Sequence, residues 1–207
     1  NVYQTIQIGN QVWMAENLKV THYRDGTSIQ YVQNELTEPD VWETLTTGAY
    51  CYYDDSQSNQ TTYGNLYNWY AVADSRNIAP EGWHVPTDAE WKELEMALGM
   101  SQSEADDAGY RGTNEGSKLA GNAGLWTDGE LENDSEFATT GFTALPGGAR
   151  YYSSGDYFSM GNGAYFWSAT EGGSYNAWYR GLDYGSSGVY RYDYYKRGGF
   201  SVRLLRD

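Results

Sequence analysis

Cysteine, histidine and proline are nearly missing from this chain, which has one Cys, two His and four Pro in 207 residues. A single cysteine, Cys51, cannot close an intramolecular disulfide and gives no firm indication of redox compartment. Standing alone, it reads as a small buried apolar residue rather than a nucleophile. A Ser-His-Asp triad would have to draw on His22 or His84. Neither neighbours a Gly-x-Ser-x-Gly elbow, which the chain lacks. His84, inside the Trp83–Pro86 segment, reads as a packing or helix-start residue, and His22, in a polar stretch beside Tyr23, as exposed. The absence of His-Glu-x-x-His and Cys-x-x-Cys argues against zinc. No apolar run approaches 18 residues, which excludes a helical membrane span. No signal segment is visible, and Asn1, followed at once by a strand-like stretch, reads as a mature or trimmed start.

Positive charge is also scarce. Lys and Arg number 13 against 28 acids, a formal charge of −15. A nucleic-acid binder needs a basic face, so that class is set aside. The imbalance is uneven: residues 1–172 hold 25 acids and 7 Lys/Arg, whereas residues 173–207 hold 3 acids and 6 Lys/Arg. An acidic surface accounts for solubility, and the reversal marks the last segment for a different role.

What the chain has in excess is Tyr (21), Trp (8) and Gly (25). Tyrosine with Gly, Ser, Asn and Asp is the palette of antibody-type binding loops, because Tyr offers large contact area and a hydroxyl while freezing few torsions.

Val2 to Ile8 alternates in period two, Gly9-Asn10 signals a turn, and Gln11 to Met14 resumes, predicting an N-terminal hairpin. Asn65 to Ala73 places Leu66, Trp69, Tyr70 and Ala73 on one helical face. The next helix is sharper. Thr87-Asp88-Ala89-Glu90 is a capping box, Pro86 bars an earlier start, Trp91, Leu94 and Leu98 form the buried stripe, and Gly99 ends it. Residues 100–150 read as loops. Strands are expected over Tyr165–Thr170, Ala177–Tyr184, Val189–Tyr195 and Phe200–Arg206, with Gly185-Ser186-Ser187-Gly188 as a hairpin loop. The stretch 2–8 is expected to pair beside 200–206. Without repeats or linkers, residues 1–207 read as a single α+β domain, with two helices early and a β-rich, loop-rich C-terminal half.

Gly82-Trp83-His84-Val85-Pro86-Thr87-Asp88-Ala89-Glu90-Trp91 is similar to the G-W-x-x-P-T-x-x-E-W segment of the Fibrobacter succinogenes major paralogous domain. In order, the segments Gly9–Leu18, Tyr63–Trp69, Gly141–Gly148, Tyr165–Glu171 and Gly199–Arg203 also match. That family resembles the formylglycine-generating-enzyme branch of the C-type lectin fold, through the Pro-Thr-x-x-Glu-Trp helix start and a terminal Gly-Phe-x-x-Arg. The resemblance implies a C-type-lectin-like fold in a secreted or cell-surface anchored bacterial protein, including lipoproteins, with its signal segment outside this chain. It also implies kinship with the variable ligand-binding proteins of diversity-generating retroelements, whose altered residues lie near the C-terminus. The chain departs from formylglycine-generating enzymes at their terminal cysteines, where it has Leu204 and Leu205, which argues against oxidase activity. Many relatives carry a cysteine pair around Cys51–Gly64, and this chain keeps one member.

Paired carboxylates could hydrolyse glycosides. However, Asp54-Asp55, Asp106-Asp107 and Glu130/Glu132/Asp134/Glu136 sit in turn-rich acidic stretches that read as solvated surface. Asp54–Asn59 and Glu132–Glu136 are oxygen-rich enough for a structural calcium ion, though neither has EF-hand spacing. Glu38-Pro39-Asp40 is near in letters to a calcium-lectin sugar loop but lies too early in the chain. No other cofactor is indicated.

From Tyr151 to Tyr195 lie 11 of the 21 tyrosines. Tyr190, Tyr192 and Tyr194 share one strand face, and Val189, Arg191 and Asp193 the other. Aromatic ladders also stabilise sheets without a ligand. The cluster, with its local positive balance, nevertheless predicts a ligand site formed by Asn176, Tyr179, Arg180, Asp183, Tyr184, Tyr190, Tyr192 and Tyr194. Trp178 and Tyr179 cannot face the same side, and Trp178 is expected to be the buried one. The expected function is non-enzymatic, extracytoplasmic binding of a protein or glycan by a monomer, with a retroelement-diversified segment as one form of it. The alternatives are a glycan hydrolase with a displaced active site and a structural surface or matrix domain.

Overall fold

A computed structural model describes residues 1–34 and 41–207; Glu38-Pro39-Asp40 lies outside them. The chain opens on β1 (Thr5–Ile8) and β2 (Gln11–Met14), joined through Gly9 at φ +56°. Short pieces follow: β3 (Gln30–Tyr31), β4 (Ala49–Cys51), α1 (Gln57–Tyr63), β5 (Leu66–Tyr67), α2 (Trp69–Val72) and β6 (Trp83–His84). Then comes α3 (Asp88–Ala97), followed by α4 (Gln102–Asp106), β7 (Gly109–Arg111), α5 (Glu115–Leu119) and α6 (Glu130–Asn133). The C-terminal part is β8 (Gly147–Arg150), β9 (Tyr157–Met160), β10 (Gly163–Glu171), β11 (Asn176–Asp183), β12 (Ser186–Tyr195) and β13 (Leu205–Arg206). The strands form sheets ordered β1-β2-β13-β6, β7-β12-β11-β10-β8-β9 and β3-β4-β5, an α+β architecture.

The two chain ends meet, but not through the pairing expected for residues 2–8. Leu205 pairs with Trp13 of β2 on one side and His84 on the other, so β2 lies between β1 and the C-terminal strand. The turn at Gly9-Asn10 folds β1 outward and leaves β2 as the inner strand. Phe200 to Leu204 does not run as a regular strand. It passes between sheets by single bridges, Tyr67 to Phe200 and Phe166 to Ser201, and all five residues are buried. The polar members of that alternation are therefore interior. Arg203 donates to the carbonyls of Met14, Phe142 and Thr143 and to Asn17 Oδ1 at 2.6 Å.

α3 forms as its local chemistry dictates. The Thr87 hydroxyl accepts from the Glu90 amide, and the Glu90 carboxylate accepts from the Thr87 amide. Trp91 and Leu94 face inward, Trp91 lying 4.8 Å from Trp13 and 5.8 Å from Phe166 between ring centroids. Leu98 is only partly buried, because it is already the C-cap, and Gly99 at φ +124° turns the chain away. The expected Asn65–Ala73 helix is shorter than its periodicity suggests. Leu66 pairs with Cys51 in β5, and Asn68 caps the single turn of α2 by accepting from the Ala71 amide. The stretch 100–150 also holds more structure than expected, with α4, β7, α5 and α6 set among its turns.

Candidate functional site

β11 and β12 form a hairpin whose turn is Tyr184-Gly185, Asp183 pairing with Ser186. The loop is two residues shorter than the Gly185–Gly188 reading. Tyr179 stands opposite Tyr192, Gly181 opposite Tyr190 and Ala177 opposite Tyr194; on the reverse face Arg180 stands opposite Arg191 and Trp178 opposite Asp193. The two faces do different work.

The reverse face meets α3 through an ionic cluster. Arg180 donates to Glu95 at 2.6 Å and to Asp88 at 2.7 Å. Arg191 reaches both Asp88 oxygens at 2.9 and 2.8 Å, and Arg111 of β7 reaches both Glu95 oxygens at 2.9 and 2.8 Å. Burial alone would raise the Asp88 pKa. The Arg191 hydrogen bond and the Arg180 charge outweigh it, and the carboxyl titrates at about 2. Arg180 is sealed beneath α3, so it does not belong to the predicted ligand site. Asn176 also faces this side, donating to Asp193 at 2.7 Å while its own buried carbonyl oxygen has no partner. Trp178 is half-buried under the Arg191 guanidinium, 4.0 Å from the ring centre. The expected Trp178/Tyr179 assignment is thus reversed. Tyr179 is the buried one, at 8% exposure, because Phe200, 5.0 Å away, covers the opposite face at that point.

The front face carries a continuous aromatic tract. Tyr110 lies 4.8 Å from Tyr190, which lies 6.0 Å from both Tyr192 and Tyr179. Tyr179 leads to Tyr194 at 6.1 Å, and Tyr194 to Tyr152 at 5.6 Å; Tyr152 stacks on Tyr195 at 4.0 Å. Tyr151, Tyr165 and Phe158 close the other margin. Tyr110, Tyr151, Tyr192 and Tyr195 are exposed while Tyr190 and Tyr194 are half-buried, so the tract has an interior floor and a solvent-facing rim. The Tyr194 hydroxyl is buried without a partner, and burial raises its pKa. Asp183 is near enough to Tyr110 and Tyr165 for its charge to raise both phenols, behind the larger effect of burial. Tyr184 is exposed at the hairpin turn, where its carbonyl accepts from the Leu131 amide.

Of the predicted site residues, the front face therefore gathers Tyr179, Asp183, Tyr190, Tyr192 and Tyr194, with Tyr184 at the tip, and leaves out Asn176 and Arg180. Tyr110, Tyr151 and Tyr152 join from elements that the alternation argument did not reach. The Gly109-Tyr110-Arg111 segment is too short to show a period.

The other candidate groups lie apart from this face. Cys51 is fully buried and its thiol is pushed up to about 11 by that burial. Asp55 accepts from the Asn34 amide and from the hydroxyls of Tyr31 and Tyr157. Asp134 accepts from the Glu136 amide. His84 lies between Glu90, 2.9 Å from Nε2, and Asp207, 2.6 Å from Nδ1. Among the described residues, no group of three or more His, Cys, Asp or Glu is placed to hold a metal ion, and no helix is long and apolar enough to cross a membrane.

The family model described as the Fibrobacter succinogenes major domain matches residues 6–206. No curated protein and no solved structure matches the chain.

Proposed function

We propose, from the premise that this chain belongs to the Fibrobacter succinogenes major domain family, that it is a non-enzymatic binding domain working through the front face of the β7-β12-β11-β10 sheet. The observation that carries this reading is the tyrosine tract itself. Aromatic side chains from β7, β10, β11, β12 and the turn after β8 converge on one sheet face, and their rim is left to solvent. Tyrosine buries large area at small entropic cost and dominates the anchoring positions of interfaces. A ladder serving only the sheet would cover its rings and pair their hydroxyls; here Tyr192 is about half exposed, at 48%, and the buried Tyr194 hydroxyl is orphaned. The reading takes the fold as C-type-lectin-like, and the adjacent chain ends are consistent with it. It places the protein outside the cytoplasm, secreted or anchored at the cell surface, as a monomer facing a surface protein or a glycan. The segment from Tyr165 to Leu204 is the part that a diversifying retroelement would vary.

The test is a screen on a glycan array and, in parallel, a pull-down of surface proteins, repeated with Tyr190→Ala/Tyr192→Ala. Loss of the captured ligand with an unchanged melting temperature supports the reading. Normal capture by a folded double variant places the site elsewhere, and unfolding makes those tyrosines sheet packing.

A further inference from the structure

Beyond the end of the tyrosine tract, the chain from Tyr195 to Gly198 is fastened from several sides. The Lys196 amide donates to Tyr175 O at 2.9 Å, its carbonyl accepts from the Trp69 amide at 2.8 Å, and the Trp42 indole donates to Arg197 O at 2.6 Å. The Lys196 ammonium pairs with Glu171, donates to Ser174 O and lies 4.9 Å from the Trp69 ring centre. Beside this junction is a cleft of about 280 Å³ lined by Leu45, Thr46, Tyr70, Tyr175, Tyr195 and the Lys196-Arg197 pair. Its walls come from α2, the β10–β11 turn and the end of β12, and the bonds just named hold those walls in place before any ligand arrives. Such pre-ordering lowers the cost of binding.

We propose that this cleft is a second binding site, sharing Tyr195 with the end of the tyrosine tract but using neither Tyr190 nor Tyr192, and that it takes a single uronic acid residue of an acidic glycan. Three properties of the cleft select that ligand. Its volume is just below the usual range for drug-sized molecules, which suits one sugar ring. Three tyrosines supply apolar ring faces for the sugar's C–H surface and hydroxyls for its oxygens. Arg197 supplies the anion contact. Its guanidinium donates to the Glu43 carbonyl oxygen and, among the described residues, has no carboxylate within ion-pair distance. Arginine's planar fork matches a carboxylate in two-point geometry. Lys196, in contrast, is already neutralised by Glu171. The chain's overall −15 charge opposes anion binding only weakly here, since salt screens exposed charges beyond roughly 8 Å at physiological ionic strength. The local cation therefore decides.

The experiment is a chemical-shift titration of the ¹⁵N-labelled protein with sodium glucuronate, glucose and N-acetylaspartate. Glucuronate is expected to move the amides of Tyr175, Tyr195 and Lys196 and to bind more tightly than either other probe. Arg197→Gln should weaken glucuronate about tenfold or more, the loss of a charged hydrogen-bonded contact, and leave glucose unchanged. Tyr175, 78% exposed, carries no packing burden, so Tyr175→Ala keeps the fold and should weaken both sugars, even if Arg197→Gln destabilises the protein. Tyr190→Ala/Tyr192→Ala should leave all three titrations as they were, which separates this site from the tyrosine face. Equal affinity for glucuronate and glucose overturns the anion contact. N-acetylaspartate binding as tightly as glucuronate makes this a peptide-carboxylate site. Absence of shifts at the cleft overturns the proposal outright.

Discussion

Arg180 of β11 and Glu95 of α3 face each other at 2.6 Å, both sealed from water. Glu95 also holds Arg111, and Arg180 also holds Asp88, which binds Arg191. Two carboxylates thus hold three guanidinium groups between helix and sheet. The arrangement is tolerable only while every member is present, since a buried ion stripped of its partner keeps its desolvation cost and loses its compensation.

Glu95→Gln is accordingly expected to destabilise the protein by about 3–5 kcal/mol, the cost of breaking a buried pair from one side. Urea unfolding measures it. A loss below about 1 kcal/mol would mean that water reaches the cluster.

Asp88 sets an acid limit. Its folded pKa of about 2 lies below the ordinary aspartate value, so the protonated form is disfavoured in the folded state. The stabilisation it contributes is complete above the unfolded pKa of roughly 4 and is lost as pH falls through the folded value, about 2 kcal/mol in total. Stability measured between pH 5 and 2 should fall along this course, and Asp88→Asn should flatten that part of the curve. An unchanged slope in the variant would assign the acid sensitivity to other groups.

His84 acts in the opposite direction. Burial disfavours its charged form, but the hydrogen bonds to Asp207 and Glu90 outweigh that and raise its pKa. The stability it contributes is complete below the unfolded value of about 6.5 and fades as pH rises through the folded value. Ring-proton titration by NMR should give a midpoint above 6.5. Glu90→Gln should lower it, and a midpoint that does not move would show that the histidine is held by Asp207 alone.

Trp91→Ala should cost about 3–5 kcal/mol in denaturant melts. The indole N–H is buried without a partner, so the loss is one of packing against Trp13, Phe142 and Phe166 rather than of a hydrogen bond. A cost under about 1 kcal/mol would contradict the packing.

Cys51 should alkylate slowly in the folded protein, since burial both blocks access and holds the thiol neutral at pH 7. Rapid labelling by iodoacetamide at neutral pH, without prior unfolding, would contradict this.

Features determined by near neighbours in the chain were readable in advance. The Thr87–Glu90 capping box, the β1–β2 hairpin and the shared face of Tyr190, Tyr192 and Tyr194 all depend on residues a few positions apart. Alternation also showed that Trp178 and Tyr179 must oppose each other. It could not say which was inside, because partners distant in sequence decide that. Asp88 and Glu95 lie 92 and 85 residues before Arg180, and they draw its side of the strand under the helix. The same distance hid the ionic role of Arg180 and Arg191, which in composition resemble a positive patch. Tyr110 was missed for a related reason: only the pairing of β7 with β12 brings it beside Tyr190.

Because successive side chains of β12 answer to opposite sides of the sheet, neighbouring codons carry unlike evolutionary risk. A change at codon 191 strikes a guanidinium on which the helix–sheet junction depends. A change at codon 192 swaps a rim ring that the core does not need. Random mutagenesis over Tyr190, Arg191 and Tyr192 should therefore yield an intolerant position set between two more permissive ones, whereas the run 179–182 on β11, buried throughout, should be intolerant at every position.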